Sequence, residues 1–202
     1  MKRVNFYIDG FNLFLGMIDA GYNHCKWLDI HLLAQTLKHS THSVTTVKYF
    51  TSRINNNASK QKRQSAYLDA LGTLDIKIIY GEFRTNWMNC KICGQGWYES
   101  KEKKTDVNIA THMIKDAFKN EYDVAILISG DSDLVPPVTA IKELYPDKEI
   151  RIAFPPNRES NELKKVADGS FKIGVQKLEA SQLPKTIVNK YGDKIVKPVE
   201  WL

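Results

Sequence analysis

Apolar residues fall along this chain in two alternating rhythms, short β-rich runs and longer segments with apolar positions at helical spacing. Val4 to Ile8, Val44 to Phe50, Ile76 to Tyr80, Val124 to Ser129 and Ile150 to Phe154 read as strands. Between them, Asn12 to Ala20, Ile30 to Lys38, Lys60 to Leu71, Asp106 to Phe118, Leu134 to Leu144 and Asn161 to Ala167 read as helices. Gly21, Gly72 and Pro146 stand where helices should stop. Strand and helix in alternation predict an α/β fold with a central parallel sheet flanked by helices.

Two stretches break the rhythm. Residues 81–105 form a long connection carrying Trp87, Cys90, Cys93, Trp97 and several lysines, and long connections in compact domains are usually functional or mobile. Near the C-terminus, Thr186 to Val188 and Lys194 to Val196 flank the turn Tyr191-Gly192-Asp193, predicting a small hairpin before Trp201. We therefore expect one domain over residues 1–180 and a tail over 181–202 packing on it, a length ample for one substantial core.

Lys and Arg outnumber Asp and Glu 29 to 23, a net charge of +6. That surplus serves solubility alone or suits a polyanionic partner. Three cysteines, an odd number in a chain too large to need stapling, point to a reducing compartment. The basic start Met1-Lys2-Arg3 is followed by an apolar run that Asn5 breaks and Asp9 stops, which argues against a secretory signal. No apolar run approaches the ~20 residues of a membrane span. The expectation is a cytoplasmic protein.

Within this frame four aspartates stand out: Asp9 after the first apolar run, Asp106 opening a helix, and Asp131 and Asp133 after Val124 to Gly130. A carboxylate ending a buried strand gains nothing for packing, but open α/β sheets bind ligands just beyond such ends. Several carboxylates gathered there repel one another unless a cation holds them, and hard oxygen donors suit Mg²⁺ or Mn²⁺.

Three motifs in order, Phe6-Tyr7-Ile8-Asp9-Gly10-Phe11-Asn12-Leu13, Glu102 to Ala110, and Ile128-Ser129-Gly130-Asp131-Ser132-Asp133-Leu134-Val135-Pro136, make the chain resemble the NYN domain family of PIN-like nucleases. The resemblance runs from about Val4 to the end of the fifth predicted strand. It implies a Rossmann-like parallel sheet and metal-dependent cleavage of RNA. It also tips Asp106, which could simply be a first-turn acid favouring the helix dipole, towards a metal ligand.

Other positions carry two readings. Asp9 precedes Gly10 and could be a turn residue, and Asn12 could cap the first helix or orient a metal-bound water or a phosphate. Asp133 could instead cap the next helix, which tolerates Pro136 and Pro137 in its first turn. Ser129 could bond a neighbouring carboxylate or phosphate, and Gly130 would let backbones approach. Cys90 and Cys93 are half of a zinc site or a free, redox-sensitive pair. Arg53, Lys60, Lys62, Arg63, Arg84, Lys101, Lys103, Lys104 and Arg158 could line a groove for phosphates, with Trp87, Trp97 and Tyr98 stacking bases, or could be a solvated face over a small satellite core.

The reading with the most support is a divalent-metal endoribonuclease in which Asp9, Asp106, Asp131 and Asp133 hold the metal and Asn12 assists. RNA is the expected partner, with single-stranded DNA also open, and a homodimer is compatible with the sequence. The alternatives are a catalytically silent nucleic-acid or protein-binding module and a small-molecule phosphohydrolase. The haloacid-dehalogenase version of the last would want Asp-x-Asp after the first strand, where this chain has Asp9-Gly10-Phe11.

Overall fold

The computed structural model describes residues 1–55 and 57–201, and the side chains of residues 99–101, the Lys101 position among them, lie outside the described residues. The chain runs β1 (Lys2–Asp9), α1 (Gly10–Asp19), α2 (Ile30–Leu37), β2 (His42–Thr51), α3 (Ala58–Leu71), β3 (Lys77–Tyr80), β4 (Glu82–Asn89), β5 (Gly96–Lys103) and α4 (Thr105–Phe118). It continues β6 (Val124–Ile128), α5 (Val135–Leu144), β7 (Glu149–Phe154), α6 (Asn161–Val166), β8 (Gly169–Lys172), α7 (Val175–Ala180), β9 (Thr186–Val188) and β10 (Lys194–Val196).

Six strands form one sheet in the order β3-β2-β1-β6-β7-β8, every pairing parallel. β1 is central because its side chains are apolar on both faces. Val4, Phe6 and Ile8 join one core cluster with Leu13, Leu33 and Leu71, while Tyr7 joins the opposite cluster with Ile109, Met113, Val138 and Ile141. The helices follow the same logic: in α4, Ile109, Met113 and Ala117 recur at four-residue spacing on one buried stripe. From β1 the chain builds outward through β2 and β3, then returns to add β6 on the other side of β1. The crevice of an open α/β sheet opens at such a reversal, beyond the carboxyl ends of β1 and β6.

Residues 81–105 are not an unstructured connection. They rise as an antiparallel β4–β5 hairpin in register from Glu82↔Lys103 to Asn89↔Gly96. Trp87 and Tyr98 face each other across it with ring centroids 4.8 Å apart. Both remain exposed, as does Trp97, so these three aromatic side chains form no satellite core among the described residues. Edge strand β8 and helix α7 also exceed the sequence reading. The β9–β10 hairpin forms as expected, in register from Lys194↔Val188 to Val196↔Thr186. Trp201 is buried, its ring 6.2 Å from Trp27 and 5.8 Å from Tyr67. Among the described residues no helix is long and apolar enough to cross a membrane.

Candidate active site

Asp9 ends β1 and is 5% exposed. Its carboxylate accepts the Asn12 amide N–H at 3.0 Å through Oδ1 and the Ser129 hydroxyl at 3.0 Å through Oδ2. Asp9, not Asn12, is therefore the cap of α1, which starts at Gly10 and so earlier than the apolar spacing suggested. The early start is possible because Gly10 has no side chain: a Cβ there would lie 2.5 Å from the Tyr49 ring and 2.8 Å from the Phe50 carbonyl. Freed from capping, the Asn12 side chain accepts the Gly130 N–H at 3.0 Å, tying the edge of β1 to that of β6. Ser129 Oγ also accepts the Asp131 N–H at 3.1 Å. Gly130 allows the close approach expected of it, since a Cβ there would meet the Arg158 carbonyl at 2.7 Å.

Asp131 carries the second cap. Its Oδ1 accepts the Asp133 N–H at 3.0 Å and starts a short 3-10 turn, Ser132–Leu134, that leads into α5. α5 itself has Leu134 at its N-cap and no side-chain cap, so Asp133 does not take the capping role open to it. Asp133 is exposed, while Pro136 and Pro137 sit in the first turn of α5, where missing amide protons do no harm.

Asp106 stands in the first turn of α4, which the chain enters through Lys104 in the left-handed conformation (φ 72°). Burial raises the Asp106 carboxyl above its usual range, and Asp131 and Asp133 raise it further. Burial likewise pushes Asp9 up to about 7 against the lowering bonds from Asn12 and Ser129, with Asp106 and Glu102 adding to the rise. Glu102 joins this group, although its place in the motif Glu102 to Ala110 assigned it no role. It accepts the Thr105 hydroxyl at 2.5 Å and is itself raised, by burial first and Asp106 last. The four predicted aspartates and Glu102 thus act on one another electrically. Among the described residues none of the five has a basic side chain bonded to it.

That donor set suits a hard cation. No three His, Cys, Asp or Glu side chains among the described residues stand close enough to grip one ion directly.

The predicted cationic residues lie around the edge and are partly engaged. Arg84 and Lys104 both pair with Glu82, the latter at 2.8 Å, whereas Lys103 is exposed. Arg53 lies over the Tyr80 ring at 5.1 Å. Asn108 donates to the Tyr80 carbonyl at 3.3 Å. Cys90 and Cys93 sit at the far tip of the β4–β5 hairpin as free thiols. There the backbone N–H groups of Cys93 and Ile92 hold the Cys90 thiol below its usual pKa. Cys25 is buried, and His24 pairs with Glu179 at 3.1 Å. Beside Asp9, a cavity of about 360 Å³ opens between α1 and α3.

One curated relative, 6-hydroxy-3-succinoylpyridine 3-monooxygenase HspA of Pseudomonas putida (strain DSM 28022 / S16), is 28% identical, the match covering 98% of this chain and 75% of that protein. Among solved structures, a Vibrio parahaemolyticus RIMD 2210633 protein of unknown function shares the fold with a TM-score of 0.55 at 20% identity, over 90% of this chain and 96% of that one. The NYN domain model matches residues 3–174, from β1 through β8, and so takes in the whole carboxylate edge. With a parallel sheet that reverses at β1 and β6 and acids gathered at the reversal, the chain belongs to the NYN domain family and has its PIN-like nuclease fold.

Proposed function

We propose that this chain is a divalent-metal-dependent endoribonuclease of the cytoplasm that cleaves phosphodiester bonds in RNA, with single-stranded DNA as the further substrate to try. The observation that supports it most is the gathering of Asp9, Asp106, Asp131, Asp133 and Glu102 at the switch point of the sheet, with no basic side chain bonded to them among the described residues. A module that only bound polyanions would gain nothing by opposing its ligand with its own charge. Asp9, Asp106, Asp131 and Asp133 would hold Mg²⁺ or Mn²⁺, at most two of them directly and the others through water, with Glu102 beside them. When bound, such a cation makes water acidic enough to attack phosphorus near neutral pH and offsets charge on the leaving oxygen.

The chain's own groups do the positioning. Ser129 Oγ and the Asn12 amide fix both oxygens of Asp9, so this carboxylate meets substrate in one orientation. Lys103 is exposed and can meet phosphates along the RNA, and Arg53 can do so by swinging away from the Tyr80 ring. Lys104 and Arg84 would first have to leave Glu82, a small cost because exposed ion pairs are worth about 1 kcal/mol or less. The test is cleavage of end-labelled RNA with Mg²⁺, with Mn²⁺ and with EDTA. Cleavage that needs the cation and disappears in Asp9→Asn is the expected result; no cleavage with either cation, or equal cleavage by the variant, overturns it.

The monooxygenase relative suggests a second reading, action on a small N-heteroaromatic acid, and the cavity beside Asp9 is the observation that favours it. Product analysis of such an acid incubated with the protein and a reductant separates the two.

A further inference from the structure

The cavity between α1 and α3 is built from unlike parts. Phe14, Tyr67 and Trp201 supply aromatic surface, Gly10 and Tyr49 form the side nearest Asp9, and Lys26 and Lys60 add positive charge. Trp201 lies beyond the NYN match, so this wall comes from the C-terminal tail.

Three features point to a ligand. First, Tyr49 is 6% exposed, and its hydroxyl has no hydrogen-bond partner among the described residues although it lines the cavity. That hydroxyl reaches the open space of the cavity, where a ligand can take up its hydrogen bond. Second, Lys26 has no acidic partner among the described residues; its ammonium lies 5.8 Å over the Phe14 ring. Burial and then the nearby Arg63 charge lower its pKa, so an anion arriving there would relieve a repulsion. Third, the cavity lies near the carboxylate edge: Gly10, directly after Asp9, forms part of its lining.

We infer that this cavity is a nucleotide subsite: one base of the RNA, unstacked from its neighbours, lies against the aromatic wall of the cavity, and an adjoining phosphate meets Lys26 and Lys60. The inference rests on the ribonuclease reading. Flat rings are what aromatic walls hold best, and each base has a π-face whatever its sequence. The Tyr49 hydroxyl offers one hydrogen bond to a base edge, enough to rank the bases without excluding any. A volume of about 360 Å³ lies at the small end of ligand sites and suits one nucleotide unit better than two.

The experiment uses the full chain, with Leu15→Trp to fill the cavity from a position 41% exposed, and Lys26→Ala to remove the cation. Binding of each nucleoside monophosphate, of inorganic phosphate and of nicotinate is followed by tryptophan fluorescence, and KM and kcat are measured on a short RNA. The expected result is saturable nucleotide binding that Leu15→Trp and Lys26→Ala each weaken about tenfold or more, the loss expected for one stacked base. KM for RNA should rise by a similar factor with kcat little changed, and Tyr49→Phe should reorder the preference among bases. If RNA is not cleaved at all but nucleotide binding is lost in both variants, the subsite stands and the ribonuclease reading falls. If RNA is cleaved and both variants keep the parent's KM and nucleotide affinity, the subsite falls and the ribonuclease reading stands. Nicotinate binding tighter than every nucleotide would overturn it in favour of a small-molecule site.

Discussion

Asp9 and Asp116 are both carboxylates almost wholly removed from water, at 5% and 2% exposure, and they are treated in opposite ways. Asp116, on α4, is answered in full. The Lys48 ammonium from β2 contacts Oδ2, and the buried Tyr7 hydroxyl from β1 donates to the same oxygen at 2.5 Å. Lys48 also lies 5.6 Å over the Tyr7 ring. Asp9 is met only by neutral donors, and the charges that reach it, Asp106 and Glu102, have its own sign. A fold that buries a positive charge for one carboxylate and withholds it from another leaves the second with a deficit that a mobile cation can fill. Position explains the difference: Asp116 lies under the sheet, where nothing can arrive later, and Asp9 at its open edge.

The comparison breaks most visibly at the paired site. Asp116→Ala strands the Lys48 ammonium in the core, and loss of one partner of a buried pair costs about 3–5 kcal/mol. Urea unfolding should show that loss, whereas replacing both partners together by Leu and Met should be much milder. A small loss from the single change would mean that Lys48 finds water and that the two sites are not opposites.

At Asp9 the sign reverses. The folded carboxyl holds its proton up to about pH 7, while in the unfolded chain it releases it near ~3.9. Folding therefore takes up a proton between those values, and metal-free stability falls as pH rises through that window and levels off above it. Asp9→Asn removes the fall. In EDTA the variant should gain on the parent progressively from about pH 4 to 7, by at most roughly 4 kcal/mol. Melting curves across pH check this, and a constant difference between the two proteins would contradict it.

Smaller effects sharpen the surroundings. Trimming residues 86–96 of the β4–β5 hairpin to a short turn should raise KM for a long RNA several-fold while leaving the melting temperature nearly unchanged, because Trp87, Trp97 and Tyr98 are exposed and bury little. A large stability loss with normal kinetics would make the hairpin a structural lobe. Replacing Lys103 and Lys104 by Ala should lower the slope of log affinity against log salt by roughly 0.7 per lost phosphate contact. The smaller share is expected from Lys104, already paired with Glu82.

Legibility in the sequence followed burial. β1, β6 and β7 are buried along most of their length and read as apolar runs, so their ends, and the aspartates beyond them, could be located to within a residue or two. Edge strand β8 alternates half-buried and exposed positions and gives no such run. The β4–β5 hairpin is polar and solvated, and its strands are specified by cross-strand pairs that a linear reading does not pair. Glu102 went unassigned for the same reason: among lysines on β5 it reads as one more surface charge, and only the turn through Lys104 brings it to Thr105 and Asp106. Cap identity was equally hidden. Which oxygen accepts the Asn12 N–H depends on Gly10 fitting against Tyr49, a contact between residues far apart in the chain.

The most direct measurement is anomalous scattering from a crystal of the chain soaked in Mn²⁺. A manganese peak is expected beyond the carboxyl ends of β1 and β6, with Asp9 and at least one of Asp106, Asp131 and Asp133 reaching it directly or through water, and no peak there in Asp9→Asn. No peak at that edge in the parent protein, with manganese bound elsewhere or nowhere, would contradict this expectation.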